Sequence, residues 1–443
     1  MKTLDKSISE YEKLIFITLK TTKKIFGSVT SFFSDVSEPR HESYIEYNLP
    51  SVFFTAIFLF LFRLEARNKV NEFLRTPKIN NIFLMHFNCG VPHGDTIDDA
   101  FALLDIDEVA KIPSKIVKRL IKQKFFNADR TLGKYLIIAV DGTGLYSSSK
   151  PHSQWLRRTT NGKTTYLHYA LEAKLISKHG EFSVGTAFVE NEHEDTPKQD
   201  CELKAFYRLA EELKKIFPRT KLLLTFDGLY PNGPVFSICK RNGWKYMIVL
   251  KNGCLPSVHE EFTSLTPLNQ ENKITCKSKR NEARQEINWV NDVLYKDTKG
   301  CTHKIGIVDC IENRNGEISH WRWVTNIETN KNNVEEIAND GGRLRWRIEN
   351  AFNTQKNRGF ALEHQYSRDP TAAKIFYYSL QIADMLSQLI KAEKLLKEWF
   401  PRGFSSAKAL AMKIMEAFRN YSSLEKIQTF QNEGYCKSIA NTS

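Results

Sequence analysis

The sequence contains no Cys-x2-Cys pair, no histidine cluster at metal-finger spacing and no apolar run long enough to cross a bilayer. The first two absences exclude zinc fingers and zinc ribbons, and leave the eight cysteines as the reduced thiols expected of a cytosolic protein. The longest apolar run, Val52 to Phe62, is interrupted only by Thr55 and falls well short of the roughly 20 residues that a membrane helix needs, so a buried helix is expected there. The opening stretch, MKTLDKSISEYEKLIF, lacks the apolar run and small-residue cleavage site of a secretory signal. Internal repeats and low-complexity tracts are also missing, which sets aside solenoids and disordered arrays. Acidic residues are the minority: 51 Asp and Glu stand against 64 Lys and Arg, a net charge of +13. That balance favours polyanionic partners, nucleic acid first, although a generically basic soluble protein would show it too. What is present is an ordinary 41% of hydrophobic residues in 443, enough for two or three domains around a sizeable core.

Residues 1–130 read as a helical N-terminal region. Asp95 is placed as a helix cap in GDTIDDAFALL, and Pro113 and Ser114 as the opening of a further helix. Along that helix Lys115, Lys118, Arg119 and Lys122 recur at i, i+3, i+4 and i+7, a basic face able to follow a phosphate backbone, or simply to face solvent. From 131 to 250 the pattern changes to three strands, helix, strand, helix, strand, which is an α/β core. Its first strand, YLIIAV, runs into Asp141-Gly142, and a later one, LLLTF, into Asp227-Gly228. Residues 251–332 lose helical period and read as a β-rich insertion. Helical spacing returns from Asn333 through Arg358, ended by Gly359, and a long apolar helix follows to about residue 400. Residues 401–443 hold one more helix and a polar tail.

Two buried strands that each end in Asp-Gly place two carboxylates at one edge of a sheet, the edge where open α/β sheets hold their sites. Asp side chains bind Mg²⁺ through oxygen while water and substrate phosphate complete its shell, so the pair suits phosphate chemistry. Read singly, either dipeptide is also ordinary turn punctuation. In GGRLRWRIENAFNTQKNRGF, Arg345, Glu349 and Lys356 fall at relative positions 0, 4 and 11, within roughly 40° of one another on a helix. This stripe joins a carboxylate to two cations, as a surface ion-pair ladder would also do. Trp321 and Trp323 share one face of a probable strand, where Trp323 is a candidate for stacking on an unpaired base or for core packing. The acidic run Glu190, Glu192, Glu194 and Asp195 is expected to be a solvated loop, and His168, His193 and His364 have no partner at metal-binding spacing.

With these residues the chain resembles the DDE transposases of insertion sequences, in particular the insertion-sequence-four type marked by Tyr-x2-Arg-x3-Glu-x6-Lys. Arg345, Glu349 and Lys356 match that spacing, while the tyrosine position falls on Gly342. VPHGDTIDD, LIIAVDGTG, LLLTFDGLYPNGPVF and RWRIENAFNTQKNRGFALEH look like stretches of the family in the family's order. The resemblance implies a ribonuclease-H-like core, a mixed sheet flanked by helices, in two parts (131–250 and 333–400) separated by the β-rich insertion. It also implies that Asp141, Asp227 and Glu349 are the catalytic, metal-binding acids, with two Mg²⁺ ions per site and Mn²⁺ able to substitute. Arg345 and Lys356 would contact DNA phosphate. Double-stranded DNA, as transposon ends and target, is the implied partner of a homodimer in a synaptic complex, with no membrane and no small-molecule substrate. The implied setting is the cytoplasm of a prokaryote, at the nucleoid. A structure-selective endonuclease of the same fold and a non-catalytic DNA-binding protein are the competing expectations.

Overall fold

Apolar runs rich in Leu, Ile, Val and aromatic residues build one mixed sheet in a computed structural model that describes residues 8–152, 154–191, 199–278, 280–423 and 425. Among the described residues it has ten strands: β1 (Leu136–Ser148), β2 (Leu156–Thr160), β3 (Lys163–Ser177), β4 (Gly180–Val189), β5 (Leu222–Phe226), β6 (Lys245–Val249), β7 (Lys273–Lys277), β8 (Arg284–Lys296), β9 (Thr302–Arg314) and β10 (Glu317–Thr325). The order across the sheet is β2-β3-β1-β5-β6-β10-β9-β8-β7, and β4 also pairs with β3. β1, β5 and β6 are mutually parallel in that order. The β1 run Leu136–Val140 and all of β5 are buried, as central parallel strands covered on both faces must be.

Helices Glu202–Ile216 and Gly233–Asn242 link β4 to β5 and β5 to β6, so the expected α/β order holds from 136 to 249, with β2 as an additional short strand. Strands also occupy 273–325, but they continue the core sheet through the β6–β10 pairing. A helix, Pro256–Leu265, appears where no helical period was legible: it buries only Val258 and Phe262, too few positions to declare a period. The expected helix from Asn333 to Arg358 is broken into Val334–Asn339, a 3₁₀ turn Gly342–Leu344 and Trp346–Asn357. The break falls at Gly341, whose backbone (φ −123°, ψ −89°) is not helical and lies against the Ile337 carbonyl.

By contacts the chain divides into two units, Lys124–Ala351 on one side and the residues up to Gln123 together with those from Phe352 on the other. Helix Pro370–Ala392, opened by Pro370 and capped by Asp369, which accepts the Ala372 N–H at 2.8 Å, packs on helices Leu49–Leu61, Gly94–Leu103 and Ile106–Lys122. Every residue from Val52 to Leu61 is buried, the outcome expected of that apolar run. No helix among the described residues is long and apolar enough to cross a membrane. His193, Glu192, Glu194, Asp195 and the tail from 426 lie outside the described residues.

Candidate active site

The parallel register pairs Ala139 of β1 with Thr225 of β5, and two places further along each chain stand Asp141 and Asp227. Residues i and i+2 share a face, so Asp141 emerges on the face of Ala139. β5 stops at Phe226, as expected, whereas β1 continues through Asp141 to Ser148 because its antiparallel pairing with β3 persists (Asp141 opposite Glu172, Gly142 opposite Leu171). Asp227 accepts the Leu229 N–H at 2.9 Å, which fixes the turn after β5. The Asp141 carboxyl is pushed up to about 7, by burial first, with the Glu349 and Asp227 charges adding to it and Arg345 and the Gly142 N–H opposing. Asp141 therefore feels the charge of both other acids through space.

Glu349 comes from the first turn of helix Trp346–Asn357. Arg345 Nη1 stands 2.7 Å from Glu349 Oε1 and 3.6 Å from Asp141 Oδ2, so the guanidinium bridges the two acids by charge. The same buried Nη1 makes no hydrogen bond among the described residues. Lys356, about two turns further along the helix, belongs to the other unit and pairs there with Glu363 at 2.8 Å. Among the described residues no three His, Cys, Asp or Glu side chains form a ready-made metal cage. Two adjacent aspartates, with a glutamate that is 54% exposed and paired with Arg345, are instead a hard, oxygen-only donor set that can share a cation with substrate phosphate. In that sense the residues fit a divalent ion.

Trp323 does not fit its expected DNA-stacking role. Its side chain is 1% exposed, inside the sheet where β10 pairs with β6, and no face is left for a base. Trp321 is half-buried with the Arg343 guanidinium 4.2 Å over its ring. Trp346, next to Arg345 in sequence, is an exposed aromatic, 49% accessible.

Four side chains at this edge were not picked out from sequence. Lys251, just beyond β6, holds its Nζ 3.0 Å from Asp227 Oδ2, and its stem crosses Gly228 so closely that a β-carbon there would collide with it. A cation directly after the buried strand neighbouring LLLTFD was the available signal. On the opposite face of β1, the Tyr169 and Tyr230 hydroxyls donate to Glu202 at 2.7 and 3.2 Å. Nothing in the local spacing of those three residues marks them as neighbours.

The basic face of helix Ile106–Lys122 is only partly available. Pro113 lies inside this helix, which Asp105 caps by accepting the Asp107 N–H, because the buried stripe Val109, Ile112, Ile116, Val117 and Leu120 carries it past the proline. Asp95 lies in the first turn of the preceding helix, whose cap is His93. Lys115 is engaged by the Phe32 carbonyl and Asp35, both at 2.7 Å, and Arg119 by the Lys24 carbonyl at 3.0 Å. Lys118 and Lys122 are exposed.

The raised Asp141 gives a pH signature. Its folded value, about 7, lies above the ordinary 3.8, so the protonated form supports the fold fully below about pH 4 and that support is lost as pH rises through 7. Without divalent cations, Asp141→Asn is expected to match the wild type at pH 4 and to exceed it at pH 8 by on the order of 2 kcal/mol in urea unfolding. An unchanged difference across that window would show that the carboxyl is not held out of water.

A search of curated proteins finds no match to the chain. A family model described as the transposase DDE domain does match, over residues 132–386. That span is more than half of the chain and includes both aspartates, the Arg345–Glu349 pair and Lys356. The chain belongs to the DDE transposase family.

Proposed function

We propose that this protein is the transposase of an insertion sequence of the insertion-sequence-four type, which binds transposon ends, cuts DNA strands and joins them to target DNA. The observation that carries the reading is the meeting of Asp141, Asp227 and the Arg345–Glu349 pair at one sheet edge within a transposase domain. The missing signature tyrosine has a local counterpart: a β-carbon on Gly342 would lie 2.5 Å from the Trp323 ring, so the buried indole takes the volume that a side chain at 342 would need.

Asp141, Asp227 and Glu349 would hold the divalent ions, two Mg²⁺ or Mn²⁺. When bound, such ions activate a hydroxyl for attack on phosphorus and neutralise the leaving oxygen. Arg345 supplies a planar guanidinium whose buried Nη1 has no hydrogen-bond acceptor, and a phosphate oxygen next to the scissile bond would satisfy it. Glu349 is exposed enough to exchange that arginine for a cation when phosphate arrives. Lys356 is proposed as a further phosphate-contacting cation. Water serves as attacking group in cleavage and a DNA 3′-hydroxyl in joining, so one set of residues serves both steps on DNA paired in a homodimeric complex at the prokaryotic nucleoid.

The test is purified protein, Mg²⁺, DNA carrying the inverted repeats that flank its gene, and a plasmid target. Cleavage at the repeat ends followed by joined products is expected. Cleavage without joining would make the protein an endonuclease, and binding without cleavage a non-catalytic DNA-binding protein. The exposed pair Lys118 and Lys122 is proposed to contact the DNA backbone. Replacing both by Gln should leave folding unchanged and make the slope of log affinity against log salt shallower by about 2. An unchanged slope would take that face out of the DNA contact.

A further inference from the structure

Behind the Asp141–Gly142 peptide, on the face of β1 away from Asp141, lies a carboxylate that the mechanism above does not use. Glu202 opens helix Glu202–Ile216. It accepts hydrogen bonds from Tyr169 Oη (2.7 Å) and Tyr230 Oη (3.2 Å), and among the described residues no Lys, Arg or His pairs with it. The contact with the active strand is close. A β-carbon on Gly142 would stand 2.7 Å from Glu202 Oε1 and closer still to the Tyr169 hydroxyl, so only glycine lets the pair press on this backbone. Both phenols are pushed above their ordinary value by burial and by the Glu202, Asp141 and Asp227 charges, which keeps them neutral donors. Two neutral hydroxyls fix the direction of the Glu202 carboxylate without cancelling its charge.

We infer that Glu202 is a fourth carboxylate of the centre, a positioning residue whose charge, held against Gly142 by Tyr169 and Tyr230, strengthens the grip of Asp141 and Asp227 on a divalent cation. It acts through Asp141 and does not touch the reacting atoms. This inference rests on the metal-dependent reading proposed above. A unit charge held against the strand that carries Asp141, partly screened, changes the affinity for a doubly charged ion by on the order of ten-fold.

The experiment is Mn²⁺ titration of the full-length protein by calorimetry, with folding checked by circular dichroism, for the wild type, Glu202→Gln, Glu202→Asp and Asp141→Asn. Glu202→Gln keeps the size and an acceptor for the tyrosines but removes the charge. It is expected to weaken Mn²⁺ binding about ten-fold, while the charged Glu202→Asp stays within about three-fold of the wild type. In strand cleavage, Glu202→Gln should need about ten-fold more Mg²⁺ for half-saturation and reach the wild-type rate at excess Mg²⁺. Wild-type affinity in folded Glu202→Gln, with binding lost in Asp141→Asn, would overturn the role of Glu202 and leave the metal centre standing. A wild type that binds no Mn²⁺, or an Asp141→Asn that binds it unchanged, would overturn both. Equal losses in Glu202→Gln and Glu202→Asp would reduce the residue to packing and also overturn the inference.

Discussion

Glu349→Ala is expected to bind transposon ends as the wild type does and to cleave them at least about 1,000-fold more slowly, a loss of about 4 kcal/mol of transition-state stabilisation. The split between the two measurements follows from where Glu349 sits. Its carboxylate is exposed and among the described residues pairs only with Arg345, so its removal opens no cavity and unpairs no buried group other than a guanidinium that phosphate can satisfy. DNA affinity, drawn mainly from phosphate contacts spread over many basic residues, should hardly move, and freeing Arg345 of its partner even favours phosphate. The chemical step depends on charge placed at the reacting oxygens and loses it entirely. Gel-shift affinity and single-turnover cleavage in Mg²⁺ measure the two quantities separately. Cleavage within ten-fold of the wild type would remove Glu349 from the metal-binding set.

Placing a tyrosine at position 342, where the signature of the proposed subgroup has one, is expected to harm this protein. In Gly342→Tyr the new side chain must enter volume held by the Trp323 indole, which is itself buried to 1% exposure and unable to retreat through the sheet. Overpacking of this kind costs about 3 kcal/mol or more and displaces the neighbouring Arg345, so both stability and cleavage should fall. Trp323→Ala alone leaves a cavity and costs about 3–5 kcal/mol. The double variant should be less damaged than the sum of the two by about 2 kcal/mol, because each change supplies what the other lacks. Strict additivity in urea unfolding would show that the two positions do not share one volume. The Trp323 ring delivered from β10 occupies the volume that a side chain at 342 would need.

Local features were legible before any coordinates. The apolar runs that became β1, β5 and the helix Leu49–Leu61 announce themselves by composition and length, and the pairing of Arg345 with Glu349 follows from a helical spacing of four. Apart from β2, the order of elements from 136 to 249 was readable because apolar strands alternate with amphipathic helices between turn residues. Helix boundaries failed where packing overrode a local signal: Pro113 was carried inside a helix by its buried stripe, and Gly341 broke a periodic stretch that spacing alone ran together.

The sequence by itself determined the types of residue available and their local faces: acids after two buried strands, and one helix stripe of mixed charge. Tertiary structure decided which of these groups meet. Asp141 stands beside Asp227 only because β1 and β5 pair in one register across a long separation in sequence, and Glu202 reaches the back of Gly142 only because Tyr169 and Tyr230 converge on it. Tertiary contacts also removed Trp323 from the surface and occupied Lys115 and Arg119. The physical reason is common to all of these. Periodicity reports which side of an element is apolar or charged, whereas what covers that side depends on long-range pairing that no local spacing encodes.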